Sequence, residues 1–229
     1  MTDANPTILA IETATSSCSV ALAFADKTYA RNVVGNNIHS SVLLDMVSEV
    51  LIEAQITVSR IQAVAVGQGP GSFTGLRIGI GVAQGIAYGV NVPMIGISSL
   101  DALANQSPTI GRVIAGIDAR MSEVYWCEYL KTSDEVKRID DFKVSEPKDI
   151  ISEDLSAQVA LVGNAWKEYQ DKFTEQLLKN SKAIVSETYP LAESLLVLAQ
   201  QAYQRGELIG VADFAPEYVR NDVAKKRRN

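Results

Sequence analysis

The stretch AVAVGQGPGSFTGLRIGIGVAQGIAYG, residues 63–89, holds eight of the chain's 15 glycines: Gly67, Gly69, Gly71, Gly75, Gly79, Gly81, Gly85 and Gly89. Its opening, Ala63–Val66, is a short apolar run that reads as a buried strand. The segment from about Phe73 to Tyr88 reads as a helix, so strand, glycine turn and helix follow one another. At such a junction backbone N–H groups can cradle an anion. This one lacks the Gly-Lys-Ser/Thr ending of a Walker loop and the Gly-x-Gly-x-x-Gly order of a dinucleotide fingerprint. Gly69, Pro70 and Gly71 therefore read as a tight turn, with Ser72 or Thr74 capping the helix; an anion cradle is the alternative.

Each of Gly75, Gly79, Gly81, Gly85 and Gly89 costs up to about 1 kcal/mol relative to alanine inside a helix, so propensity alone would not build this one. At about 100° per residue, these five with Ile78, Val82 and Ile86 fill one arc. Leu76, Ile80, Ala83 and Ala87 fill another, leaving Arg77, Gln84 and Tyr88 as a polar strip. A helix apolar nearly all round must be covered on both sides. Small residues four apart also let a second helix approach closely. One side is expected against the chain's own sheet; the other is covered either by a partner or by the C-terminal half of the chain.

Working outward, Ile8–Ile11, Cys18–Ala25 and Thr28–Val34 read as an antiparallel meander. Leu43, Met46, Val47, Val50, Leu51 and Ala54 then recur at helical spacing, which predicts a helix from about His39 to Ala54. Met94–Ser98 is a further strand. Strand, strand, strand, helix, strand, helix, strand is the ribonuclease-H-like order that actin-like and sugar-kinase proteins duplicate. The second half opens with strands Val113–Ile117 and Val124–Leu130 around the turn Asp118–Met121, then a charged β segment to Phe142. Strand Val159–Val162, a helix from about Ala165 to Leu178, strand Ala183–Val185 and a helix from about Leu191 to Arg205 follow. Pro190 suits that last helix's first turn and Gly206 its stop. The expected fold class is α/β: two ribonuclease-H-like (actin-like, ASKHA) lobes with mixed sheets flanked by helices. The N-terminal lobe is placed at 1–105 and the smaller C-terminal lobe at 106–229, with a basic tail able to pack back on the first.

Composition narrows the function. In 229 residues, 47% are hydrophobic and 21% charged, which is globular. A net charge of −6 argues against a general basic surface for nucleic acid. The tail reverses that sign: Arg220, Lys225, Lys226, Arg227 and Arg228 stand against Asp213, Glu217 and Asp222. It reads either as a solvated end or as a small contact arm for RNA or an acidic partner. Cys18 and Cys127 form no metal pair, and the single histidine, His39, excludes sites that need two imidazoles. His39 is expected at the surface or in an interface. Glu12, at a strand end, reads as a hydrogen-bonded structural group or as a general base, and Asp118 with Arg120 as an ion pair or turn cap. Nothing before the first apolar run resembles a targeting signal, and Ile78–Val90 is too short and glycine-laden to span a membrane. The cytoplasm is the expected location, with no membrane partner.

Gly69-Pro-Gly-Ser-Phe-Thr-Gly-Leu-Arg-Ile-Gly79, with Ile11-Glu-Thr-Ala-Thr-Ser-Ser-Cys-Ser-Val20, Asp118-Ala-Arg-Met-Ser-Glu-Val-Tyr125 and Pro216-Glu-Tyr-Val-Arg220, resembles the TsaB (YeaZ) family throughout the chain. The resemblance implies a non-catalytic, dimerising subunit of the bacterial machinery that adds threonylcarbamoyl to the adenosine following the anticodon of ANN-reading tRNAs. It implies three partners: a TsaD-like catalytic subunit, a TsaE-like ATPase and a second copy of the chain as a homodimer. Contact with tRNA would be mainly indirect, through the complex. Pairing is expected through the two N-terminal helices, at His39, Val42, Leu43, Met46 and Val50 on the first. On the second the expected contacts are Phe73, Gly75, Arg77, Ile78, Gly79, Val82, Gly85 and Ile86. No cofactor of its own is expected, ATP and metal belonging to the partner subunits. The catalytic paralogue's His-x-x-x-His metal positions look like Ser99 and Leu103 here, and leucine cannot ligate a metal. Where actin-like ATPases carry an Asp-x-Gly-Thr loop, this chain has Glu12-Thr-Ala-Thr15. The alternative from another class is an enzyme acting by itself, an actin-like ATPase or a glycoprotease-type metallohydrolase.

Overall fold

The computed structural model describes residues 5–219 except 153, 155 and 218; the basic cluster Lys225–Arg228 lies outside them. The first sheet is built from β1 (Ile8–Glu12), β2 (Ser17–Phe24), β3 (Lys27–Val34), β4 (Ala63–Gly67) and β5 (Met94–Ile97), with helices α1 (His39–Glu53) and α2 (Phe73–Val90) between β3 and β5 in the chain. Its strand order is β3-β2-β1-β4-β5. β1, β2 and β3 pair antiparallel, while β4 and β5 add in parallel. That is the ribonuclease-H-like arrangement. A short helix, α3 (Ser99–Asn105), leads to the second sheet of β6 (Gly111–Asp118), β7 (Val124–Lys131), β8 (Val136–Arg138), β9 (Lys143–Ser145), β10 (Val159–Val162) and β11 (Ser181–Val185). Its order is β11-β10-β6-β7-β8, with β9 also on β7. Helices α4 (Ala165–Glu168), α5 (Glu175–Lys179) and α6 (Ala192–Arg205) complete the chain. Among the described residues, no helix is long and apolar enough to cross a membrane.

Strand alternation explains the layers. In β1, Leu9 and Ile11 face α1 and α2 together with Val20, Leu22, Val64 and Val66. Ile8 and Ala10 face the other way with Ala21, Ala23, Ala63 and Ala65, and meet α6. The small alanines on that face let α6 lie close to the sheet. The sheets lie in sequence on either side of residue 105, but α6 belongs by packing to the first, so a cut at 105 separates that helix from its core.

Two expectations are corrected here. The helix predicted over 165–178 is broken: Phe173 adopts extended backbone so that its ring can pack 4.7 Å from that of Trp166, and Thr174 caps a new helix by accepting from Leu177 N. Helix α3 lies outside the elements expected from the sequence; it buries Leu100, Leu103 and Ala104 against the second sheet and Ala102 toward α6.

Beyond α6, Gly206 ends the helix in the left-handed region, as expected. The chain then returns to the first sheet, where Ile209 exchanges two 2.9 Å backbone hydrogen bonds with Met94. Gln84 of α2 donates to the carbonyls of Val211 and Phe214 at 3.1 and 3.4 Å, and Phe214 is buried in the α1/α2 core. Phe214→Ala should cost about 3 kcal/mol of stability, read by urea denaturation.

Candidate protein–protein interface

The glycine turn at the start of α2 is held at every point. Gly69 has φ +109°, which suits glycine. Ser72 caps α2 by accepting from Gly75 N at 3.2 Å, and donates its own N–H to Ala14 O at 2.7 Å. A Cβ on Gly71 would fall 2.3 Å from Ala14 O, and one on Gly75 2.2 Å from Thr13 O. One on Gly79 would meet Thr13 Oγ1 at 2.1 Å, the hydroxyl that donates to Gly75 O. These glycines let the β1–β2 turn sit directly on the helix. The tight-turn reading of the segment is the one its geometry supports.

Gly81, Gly85 and Gly89 behave differently: among the described residues, a Cβ at any of them would have nothing within 4 Å. The single glycine arc expected from periodicity is therefore two stripes. Gly75 and Gly79 continue into Ala83 and Ala87 against the core, while Gly81, Gly85 and Gly89 form a bare outer ridge. Tyr88, 80% exposed, and Phe73, 45% exposed, stand at its two ends, with the Arg77 guanidinium 3.8 Å over the Phe73 ring. Ile78, Val82 and Ile86 are half-buried on one flank; Gln84 and the returning C-terminal segment occupy the other. That segment covers a flank of α2 and leaves the ridge open.

On α1, the expected contacts Leu43, Met46 and Val50 are corrected: all three are buried against the chain's own sheet, because the spacing that marks them as an apolar stripe is the spacing the core requires. Gly75 and Gly79 are corrected for the same reason. His39 is also buried rather than at the surface, its Nε2 3.4 Å from Ser17 O. By helical angle Val42 shares the flank of Glu49 and Glu53, both paired with Arg31 of β3 at 2.8 Å, and so lies away from α2. The apolar residues that α1 does expose are Leu44 and Ile52, at 60% and 75%, with Leu51 half-buried. Sequence reasoning passed over them, although they are the apolar residues left outside the core stripe. Of the expected contacts, Phe73, Arg77, Ile78, Val82, Gly85 and Ile86 do share one accessible surface.

Beside the ridge, the β1–β2 turn, the starts of α1 and α2, and the β6–β7 turn enclose a cavity of about 480 Å3. In the β6–β7 turn, Asp118 accepts from Arg120 N at 2.8 Å and from Tyr169 OH at 2.6 Å. The Arg120 guanidinium lies 3.3 Å from the same carboxylate, so this pair is both turn cap and ion pair. Glu12 is fully buried and accepts from Ala14 N at 2.7 Å and Ser99 Oγ at 2.8 Å, which is the structural role rather than that of a base facing substrate. Ser99 is thus engaged within the chain, and Leu103 is packed with Leu100, Val113 and Ala115.

A family model described as TsaD, tRNA N6-adenosine threonylcarbamoyltransferase, matches residues 34–227. The tRNA threonylcarbamoyladenosine biosynthesis protein TsaB of Escherichia coli K12 is 37% identical over 228 residues, covering 96% of this chain and 97% of its own. Its counterpart in Haemophilus influenzae is 35% identical over 237 residues, with 97% of each chain covered. The solved structure of YeaZ from Pseudomonas aeruginosa matches with a TM-score of 0.87 and 35% identity, across 93% of this chain and 100% of that one.

Proposed function

Because this chain belongs to the TsaB (YeaZ) family and takes part in tRNA threonylcarbamoyladenosine biosynthesis, we propose that it is the non-catalytic subunit that pairs with a TsaD-type catalytic subunit. The paired surface is the outer ridge of α2 with the exposed apolar residues of α1. One observation carries this reading: Gly81, Gly85 and Gly89 weaken the helix and face open space, so among the described residues nothing offsets their cost. A partner helix seated on the ridge would offset it, since bare backbone allows close approach. A second copy of the chain would use the same surface, so homodimer and heterodimer would compete. The pairing would act by favouring one conformation of the catalytic subunit, with a TsaE-like ATPase joining the assembly, ATP and metal held by the partners, and tRNA contacted chiefly through them.

The test is reconstitution. Light scattering of this chain mixed with a TsaD-type subunit should show a heterodimer, and threonylcarbamoyl transfer to an ANN-reading tRNA should depend on adding the chain. Full-rate modification without it, or stoichiometric ATP binding by the chain alone, would overturn the proposal in favour of an independent enzyme.

A further inference from the structure

Glu12 is a carboxyl with 0% exposure and, among the described residues, no cationic partner. Charge in such a place is expensive unless it is paired. Its neighbours tie three parts of the molecule together. Oε1 accepts from Ala14 N in the β1–β2 turn, and Oε2 meets the Ser99 hydroxyl at the start of α3. The carboxyl also lies against Gly67, where a Cβ would come within 2.2 Å of Oε2. Ala14 O in turn receives Ser72 N, Gly69 O receives Ser99 N, and Thr13 Oγ1 donates to Gly75 O. The turn thus held, Ala14–Ser16, is a wall of the cavity, whereas Glu12 sits behind that wall.

We propose that Glu12 is a proton-operated latch on this wall: protonated, it holds the β1–β2 turn against the glycine turn and the first turn of α2; deprotonated, it loosens the turn toward the cavity. In the closed arrangement Oε1 accepts from Ala14 N–H and Oε2 accepts from the Ser99 hydroxyl, and a neutral carboxyl sits there without an unpaired buried charge. Loss of the proton to solvent leaves a carboxylate with hydrogen-bond donors but no counter-charge, and the Ala14–Ser16 turn is cavity wall on its far side. Burial pushes the group up to about 7, against the lowering effect of the Ala14, Ser99 and Thr13 donors. The titratable group facing it from β2 is the Cys18 thiol, itself pushed up to about 11 by burial and by the Glu12 charge, hence neutral in this range. On α3, Asp101 is turned away, engaged by Tyr129 OH and Arg138. From β4 and α2 the contacts are Gly67 and, through Thr13, Gly75, which do not titrate.

The sign follows from a closed-state value above the open-state value. The closed wall is favoured at low pH and weakened as pH rises through about 7. Amide hydrogen exchange on the intact chain, corrected for intrinsic rates, reads it at Ala14, Ser72 and Ser99. Between pH 6 and 8 their opening should increase about tenfold, with α6 amides unchanged. Glu12→Gln, which keeps an acceptor for Ala14 N and carries no titratable proton, should make those amides insensitive to pH. A wild-type wall with pH-independent protection, or the same slope in Glu12→Gln, would overturn the proposal. Should that variant not fold, carbon-13 titration of the Glu12 carboxyl in the wild type decides instead: a midpoint near the ordinary 4.5 rejects the latch.

Discussion

With Gly85 replaced by arginine, the chain is expected to fold as before, melt slightly higher and lose pairing. The folded chain has room, because a Cβ at Gly85 meets nothing within 4 Å and the side chain points to solvent. Replacing glycine by a good helix former inside α2 should add up to about 1 kcal/mol, or roughly 2–4 °C for a chain of this size. Pairing should suffer twice. The side chain would prop the partner away from the ridge, and a guanidinium would be sealed without a counter-charge on a helix whose one charged residue is Arg77. An uncompensated buried charge costs about 3–5 kcal/mol, which at about 1.4 kcal/mol per tenfold is at least roughly 100-fold in affinity. Sedimentation of the homodimer or titration with the catalytic subunit reads the loss, and circular dichroism confirms the fold. A variant that melts higher and still associates would remove the ridge from the interface. Gly81→Ala and Gly89→Ala should show the stability gain with smaller losses of affinity, since a methyl separates the helices less.

Much of the first sheet was legible. The three opening strands, α1, β4, α2 and β5 were expected from alternation, helical spacing and turn residues, and their order identified the ribonuclease-H-like arrangement. The destination of α6 was not, because a buried stripe of Ala192, Leu195, Leu196, Ala199 and Ala202 states that the helix has a core face without stating which sheet supplies it. Helix α3 lacked an amphipathic signal because the second sheet buries one side of it and α6 the other. The break at Phe173 is a tertiary effect, an aromatic ring leaving the helical path to reach Trp166. The candidate interface was half legible for a related reason. Apolar spacing on α1 found the residues that face the core, which a partner cannot touch, while exposed Leu44 and Ile52 follow only once the core stripe is assigned. On α2, Gly75, Gly79, Gly81, Gly85 and Gly89 span a continuous arc by angle. The position of Thr13, which periodicity cannot supply, divides the inner glycines from the outer ones.

That division makes the opposite prediction for the inner stripe. Gly75→Ala should destabilise the chain by about 3 kcal/mol or more, at the upper end of overpacking effects. The added methyl would lie 2.2 Å from Thr13 O, a backbone atom at the β1–β2 turn that cannot rotate aside. Relief would require the turn to lift from α2, breaking the 2.7 Å bond from Ser72 N to Ala14 O and the 2.9 Å bond from Thr13 Oγ1 to Gly75 O. Gly79→Ala meets the Thr13 hydroxyl instead, a side-chain atom free to turn, and should cost about 1–2 kcal/mol, near the value of the hydrogen bond it displaces. Thr13→Ala separates the two cases. Combined with Gly79→Ala it should recover most of that variant's added loss, because the obstructing atom is gone, giving a coupling well above additivity. Combined with Gly75→Ala it should recover little, because the carbonyl remains. Urea denaturation of the three single variants, the two double variants and the wild type measures both cycles. Equal rescue of the two glycine variants would mean that the helix shifts as a body and that the inner stripe is not shaped by the β1–β2 turn. Neither substitution touches the outer ridge, so any loss of pairing should track the fraction unfolded, whereas Gly85→Arg lowers affinity in a fully folded chain.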